Sequence, residues 1–270
     1  MDVATAKPQS AVTPGEPGEP GTTPRPAIIL LVARIAAVAL SCVLGWWVVA
    51  AAGYASAFPP TPLIACLALL PVNIGTMIAL RTITGSPLRA LLGFDRSRLG
   101  RDVAWGMLWL AVLYLPFTLA LVGTVFALHG AEALDRFATI FVPSAYPQFP
   151  VVVSVVLGAL AVLTFAPLNA PAEELAFRGV AQGSLRAVGR PALAIILPSL
   201  LFGLQHVFFA PTLDGMVVYA VAFFVWGLVS ALIYARQGRL MPLVVAHFLV
   251  NLLMTLPALI LPLLIPEMSA

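Results

Sequence analysis

Seven runs of residues in this chain are long, apolar and almost free of charge: 27–52, 62–81, 103–128, 150–169, 191–209, 216–235 and 240–263. A helix needs about 20 apolar residues, within a range of roughly 17–25, to cross the hydrocarbon core of a bilayer. Repeated runs of that length leave a chain few options. In lipid every backbone N–H and C=O must be satisfied within the protein, which only helices and closed barrels achieve. Composition agrees on the solvent. Apolar residues make up 61% of the 270 and charged residues 9%, with a mean hydropathy of +1.03, whereas a soluble domain carries roughly 45–50% and about 25%. The expected fold class is all-α, a polytopic transmembrane helix bundle.

The rest of the chain is punctuation around these runs. Residues 1–26 are rich in Pro, Gly, Thr and Ser and bury too little to offset their ordering entropy, so they read as a disordered cytoplasmic tail. The gap 82–102 is polar and Arg-rich, and the gap 129–149 holds Glu132, Asp135, Arg136, Pro143 and Pro147. Cys42 and Cys66 both fall inside apolar runs and offer no disulfide framework. A net charge of +3, with no basic run long enough to track phosphates, argues against nucleic acid as a partner. Thirteen arginines against the single Lys7 suggest a GC-rich prokaryotic genome, hence a prokaryotic cell membrane.

Residues 171–188 set the span count. Pro171 at a first helical position, Glu173 and Glu174 in a first turn, Arg186 near the end and Gly189 just past it are start and stop signals for a helix of its own. As a surface helix it would leave Glu173 at one face, roughly 23 Å from the level of His206 on the next span. As an eighth span it would place Glu173 and His206 side by side, about equally far from the turn at Gly189. Eight spans are therefore expected, with both termini cytoplasmic and the Glu173 end opening to the cytoplasm. His247 then lies roughly 10 Å too near its own turn. Seven spans would instead collect nearly every arginine on one side, with Arg136 opposite.

Three polar clusters interrupt the apolar second half: Glu173-Glu174-Leu175-Ala176-Phe177-Arg178, Phe202-Gly203-Leu204-Gln205-His206 and His247-Phe248-Leu249-Val250-Asn251. Ionisable residues inside a span cost several kcal/mol, on the order of 2.5–3.5 on insertion scales, so they mark function by default. Glu174 and Arg178 stand at the i,i+4 spacing of an intrahelical ion pair, which leaves Glu173 without that partner. Peptide hydrolysis without a Ser or Cys nucleophile needs a general base and donors aimed at developing negative charge, and Glu, His and Asn can supply both.

The ordered set Glu-Glu-x-x-x-Arg, Phe-x-x-x-His and His-x-x-x-Asn on successive apolar helices resembles the CPBP family of CAAX proteases and bacteriocin-processing enzymes, over residues from about 150 to 260. The resemblance implies an intramembrane endopeptidase acting on membrane-associated protein or peptide substrates. It makes Glu173 the catalytic carboxylate, His206 its partner in activating water, and His247 and Asn251 the oxyanion donors, with Glu174, Arg178 and Phe202 in support. It also divides the chain into N-terminal transmembrane helices at 27–149 and a catalytic core at 150–265.

Members of this family are often labelled metalloproteases, and Glu173, His206 and His247 are also ligand types for a catalytic zinc. No His-Glu-x-x-His helix is present in the sequence, and direct activation of water by glutamate is the favoured expectation, with zinc left open. A transporter or an immunity or regulatory membrane protein is the competing class, in which the same residues would relay protons. The chain shows no internal repeat of the kind transporters carry.

Overall fold

The structure, a computed structural model, describes residues 23–264. Most of the expected tail, residues 1–22, lies outside the described residues. Helix α1 (Arg25–Ala51) begins two residues earlier than the sequence suggests. It is followed by α2 (Pro62–Ala68) and α3 (Leu70–Thr84), which together make one broken span, and by the short α4 (Leu88–Leu91). Then come α5 (Leu99–His129), a small surface helix α6 (Ala133–Ile140) and α7 (Val151–Glu173). Helix α7 continues without interruption through a π-helical stretch, Glu174–Gln182, into α8 (Gly183–Ala187). Finally α9 (Pro191–Gln205), α10 (Leu213–Gln237) and α11 (Met241–Leu264) complete the bundle.

Seven of these helical units are long and apolar enough to cross a membrane. That is one fewer than expected, because residues 171–188 do not form a span of their own. They are the second part of a single 37-residue helical unit, Val151–Ala187. The start signals at Pro171 misled because they assume water. In a soluble helix an interior proline removes a hydrogen bond and breaks the ladder. In a membrane helix, neighbouring groups and local π adjustments re-satisfy the freed carbonyls, so proline is tolerated. Here the helix carries Pro167 and Pro171 inside it and changes to π geometry just after the second.

Glu173 is thus neither at a surface nor at the start of a span. It lies 22 residues along a continuous helix from Val151, about 33 Å at 1.5 Å per residue, and is buried inside the bundle. The His247 mismatch disappears for a separate reason. The link from Gly238 to Leu240 is not helical and turns back into the bundle, where Leu240 is buried and packs beside Gly179. Helix α11 therefore starts deeper than α10 ends. Gly238 makes this return possible, since it closes α10 in the left-handed region at φ +66°.

Small residues bring the functional helices close. Gly158 of α7 faces the backbone of α11 so tightly that a Cβ there would lie 2.5 Å from the Ala258 carbonyl oxygen, and Gly203 of α9 meets the Ala220 carbonyl of α10 in the same way. Such contacts drive helix association in lipid, where the hydrophobic effect does not distinguish side chain from solvent. Gly158→Leu should force α7 and α11 apart and destabilise the bundle by about 1–3 kcal/mol or more. The check is a lowered midpoint of unfolding for the purified variant in detergent.

Candidate active site

The site is assembled from a helix that the sequence reading left out. Arg34, in the first half of α1, is buried, and its guanidinium reaches Glu173 Oε1 at 2.8 Å. The same group donates to Asn73 (2.9 Å) and Thr76 (2.8 Å) of α3, to Asn169 of α7 (3.2 Å) and to Gln205 Oε1 of α9 (3.3 Å). Gln205 closes the ring by donating its Nε2 to Glu173 Oε1 at 3.0 Å. One carboxylate oxygen is thereby clamped from two sides. The other, Glu173 Oε2, is buried with no hydrogen-bond partner.

Glu174 points elsewhere. Its Oε1 accepts from Arg178 at 3.2 Å and lies 2.8 Å from His247 Nδ1. With a carboxylate on that nitrogen, His247 presents its Nε2 toward Glu173 Oε2, 3.6 Å away. Arg178 is fully enclosed and its guanidinium lies 4.3 Å above the ring of Phe202, a contact worth roughly 2 kcal/mol when desolvated. Four buried charges, Arg34, Glu173, Glu174 and Arg178, thus balance in sign, as buried ions must.

His206 stands at the end of α9, and its Nδ1 is 2.7 Å from the Phe202 carbonyl oxygen. A carbonyl can only accept, so this nitrogen carries the proton and Nε2 of the neutral ring is left as an acceptor. The imidazole stacks on Phe223 of α10 with centroids 3.6 Å apart. Asn251 sits one turn beyond His247 on α11, and its side-chain Nδ2 is buried without a partner.

These groups surround a cavity of about 390 Å³. Glu173, His206, His247, Asn251 and Asn169 line it, and the remaining wall is largely aromatic and aliphatic, including Tyr114, Phe117, Phe165 and Trp226. Glu174 and Arg178 are not part of the wall. The structure therefore brings all seven residues singled out in the sequence into one cluster and sorts them into two layers. Glu173, His206, His247, Asn251 and Phe202 face the cavity, and Glu174 and Arg178 stand behind them.

Arg34, Asn73, Asn169 and Gln205 were missed. The signal for Arg34 was present, since it is an ionisable residue inside an apolar run. The rule that drew attention to His206 and His247 applies to it equally.

The possible zinc ligands do not fit a metal. Zinc needs ligand atoms about 2.0–2.2 Å from one centre. No three His, Cys, Asp or Glu side chains among the described residues share such a centre. A dication beside Arg34 would also meet a like charge.

Residues 152–253 match the family described as Type II CAAX prenyl endopeptidase Rce1-like. Over this segment the chain is similar to that family. The match runs from the start of α7 into α11, so α1 and its Arg34 lie outside it. No curated protein and no solved structure matches the chain. Seven apolar membrane-length helices and this family together make the chain an integral multi-pass membrane protein.

The layered arrangement predicts that Arg178→Lys, which keeps the charge but loses the flat stack on Phe202, lowers stability by roughly 2 kcal/mol. Arg178→Met, which strands Glu174, should cost more, about 3–5 kcal/mol. Unfolding in mixed detergent micelles measures both, and a lysine variant as stable as wild type would contradict the stacking role.

Proposed function

We propose that the chain is an intramembrane endopeptidase that hydrolyses peptide bonds of membrane-associated protein substrates with a water activated by Glu173 and His206. The observation that carries this reading is the division of labour at Glu173. One oxygen is fixed by Arg34 and Gln205, while the other is free, buried and turned to the cavity. A general base needs this combination of a held orientation and an open lone pair.

In this mechanism a water lies between Glu173 Oε2 and His206 Nε2, both of which are acceptors. Glu173 takes its proton as the oxygen attacks the scissile carbonyl carbon. The carbonyl oxygen becomes an oxyanion facing α11, where the unpartnered Asn251 Nδ2 supplies a donor. His247 supplies a second through Nε2 when its ring is doubly protonated, with Glu174 holding Nδ1. Such donors act mainly on the transition state, where each is worth about 3–4 kcal/mol. The proton on Glu173 then passes to the leaving amine, and the C–N bond breaks to give a carboxylate and an amine. Arg34 stays paired throughout and keeps the carboxyl in place.

Glu173→Gln keeps the shape of the side chain but removes the basic oxygen, so cleavage should fall by roughly 10²–10⁴-fold with expression unchanged. The purified variant assayed beside wild type on a membrane-protein substrate provides the check, and activity within about threefold of wild type contradicts the role. Because the cluster does not fit zinc, a strong chelator should leave turnover intact and elemental analysis should find substoichiometric metal. Stoichiometric zinc that leaves and returns with activity would overturn the proposed roles.

A further inference from the structure

Asn169 lines the cavity one helical turn before Glu173 on α7, and no step of the proposed hydrolysis employs it. It is 3% exposed, so its carboxamide has left water for a wall that is largely aromatic and aliphatic. Such a transfer is unfavourable unless the amide finds partners. The needs of Arg34 do not explain it. The guanidinium Nη2 has hydrogens for two acceptors, yet it faces Glu173 Oε1 at 2.8 Å, Asn73 Oδ1 at 2.9 Å and Asn169 Oδ1 at 3.2 Å. The two shorter contacts already use both hydrogens, and Asn169 is the surplus acceptor.

What Arg34 does fix is the way this amide lies. Only the oxygen of a carboxamide accepts, so Oδ1 is turned to the guanidinium and the NH₂ end is turned from it. Among the described residues no acceptor pairs with that Nδ2. Glu173 lies beside His247, and Gly158 beside Ala258, so α7 and α11 run antiparallel along the cavity. One turn from the level of Glu173 and His247, Asn169 and Asn251 therefore stand level with each other on adjoining walls. Asn251 Nδ2 is likewise without a protein partner.

From this geometry we infer that Asn169 is a substrate-binding residue, whose Nδ2 donates to the substrate backbone carbonyl next to the scissile one. The inference rests on the peptidase reading and deepens it. In an extended chain successive carbonyls point in opposite directions. A chain whose scissile carbonyl turns to Asn251 on α11 thus turns the neighbouring carbonyl to another wall, and α7 offers Asn169 there. The ligand is accordingly an extended main chain, since carbonyls within an α-helix are already bonded to their own N–H groups. A contact made alike before and during reaction holds the substrate without speeding the chemical step.

The test first treats a proteome-derived peptide library with purified wild-type protein and with Glu173→Gln, and takes the peptide whose cleavage depends most on Glu173. That peptide is then made with a thioamide, a poorer acceptor, in place of the amide on either side of the scissile bond in turn. With wild type, one of these replacements should raise KM about 3–10-fold, the loss of one neutral hydrogen bond, while kcat falls less than about twofold. Asn169→Ala should raise KM for the unmodified peptide by a similar factor and respond less than about twofold to that same thioamide. Asn169→Asp keeps the oxygen that Arg34 holds and loses the donor, so it should show the same insensitivity, and it carries the test if the alanine variant does not fold.

An asparagine that merely buttressed Arg34 would lower kcat and leave the thioamide penalties as in wild type. Equal penalties in wild type and variants, no penalty in wild type at either flanking carbonyl, a fall in kcat with KM unchanged, or failure of both variants to fold would each overturn the inference while leaving the peptidase standing. If no peptide is cleaved in a Glu173-dependent way, the peptidase reading fails and the role of Asn169 falls with it.

Discussion

The pairing of Arg34 with Glu173 is the contact on which the rest of this molecule depends. A carboxylate buried inside a membrane-spanning bundle cannot remain ionised without a partner, and the partner here comes from 139 positions earlier in the chain. The guanidinium then dictates the surroundings. It offers more donors than Glu173 can accept, and Asn73, Thr76, Asn169 and Gln205 take the remainder. Four long helical units, those of α1, α3, α7–α8 and α9, are tied at one point by this requirement. Apolar packing alone would leave their relative depth poorly specified in lipid.

The same pairing separates the two adjacent glutamates chemically. Glu173 and Glu174 are neighbours in sequence, yet one is clamped at a single oxygen and faces the cavity. The other is enclosed between Arg178 and His247. The π-helical stretch begins at this junction. Stretches of π geometry inside α-helices are frequent at functional sites, and here the change follows two prolines whose missing donors already loosen the ladder. Glycine contacts at Gly158 and Gly203 then set α11 and α10 close enough for His247 and Phe223 to reach their places.

Much of this was legible in the sequence, because lipid imposes simple rules. The apolar runs gave the helix class and most span positions, and the polar interruptions gave Glu173, Glu174, Arg178, Phe202, His206, His247 and Asn251. What was not legible shares a cause. Pro171 followed by two acids reads as a helix start under rules drawn from water, and the bilayer removes the penalty that makes those rules work. Arg34 was visible as a charge in a span, but its partners are scattered over α3, α7 and α9, and no local spacing joins them. The re-entry of Leu240 was hidden because depth within a bundle depends on the whole connection, not on residue counts from a turn.

The central claim is that Arg34 and Glu173 act as one unit, and a double-mutant cycle in reversible unfolding from mixed micelles tests it most directly. Arg34→Met alone strands a buried carboxylate and should cost about 3–5 kcal/mol. With Glu173→Gln also present that charge is gone, so the double variant should be more stable than the sum of the singles implies, with a coupling of about 0.5–3 kcal/mol. Additive effects, with coupling near zero, would mean that the two side chains do not depend on each other and would contradict this account.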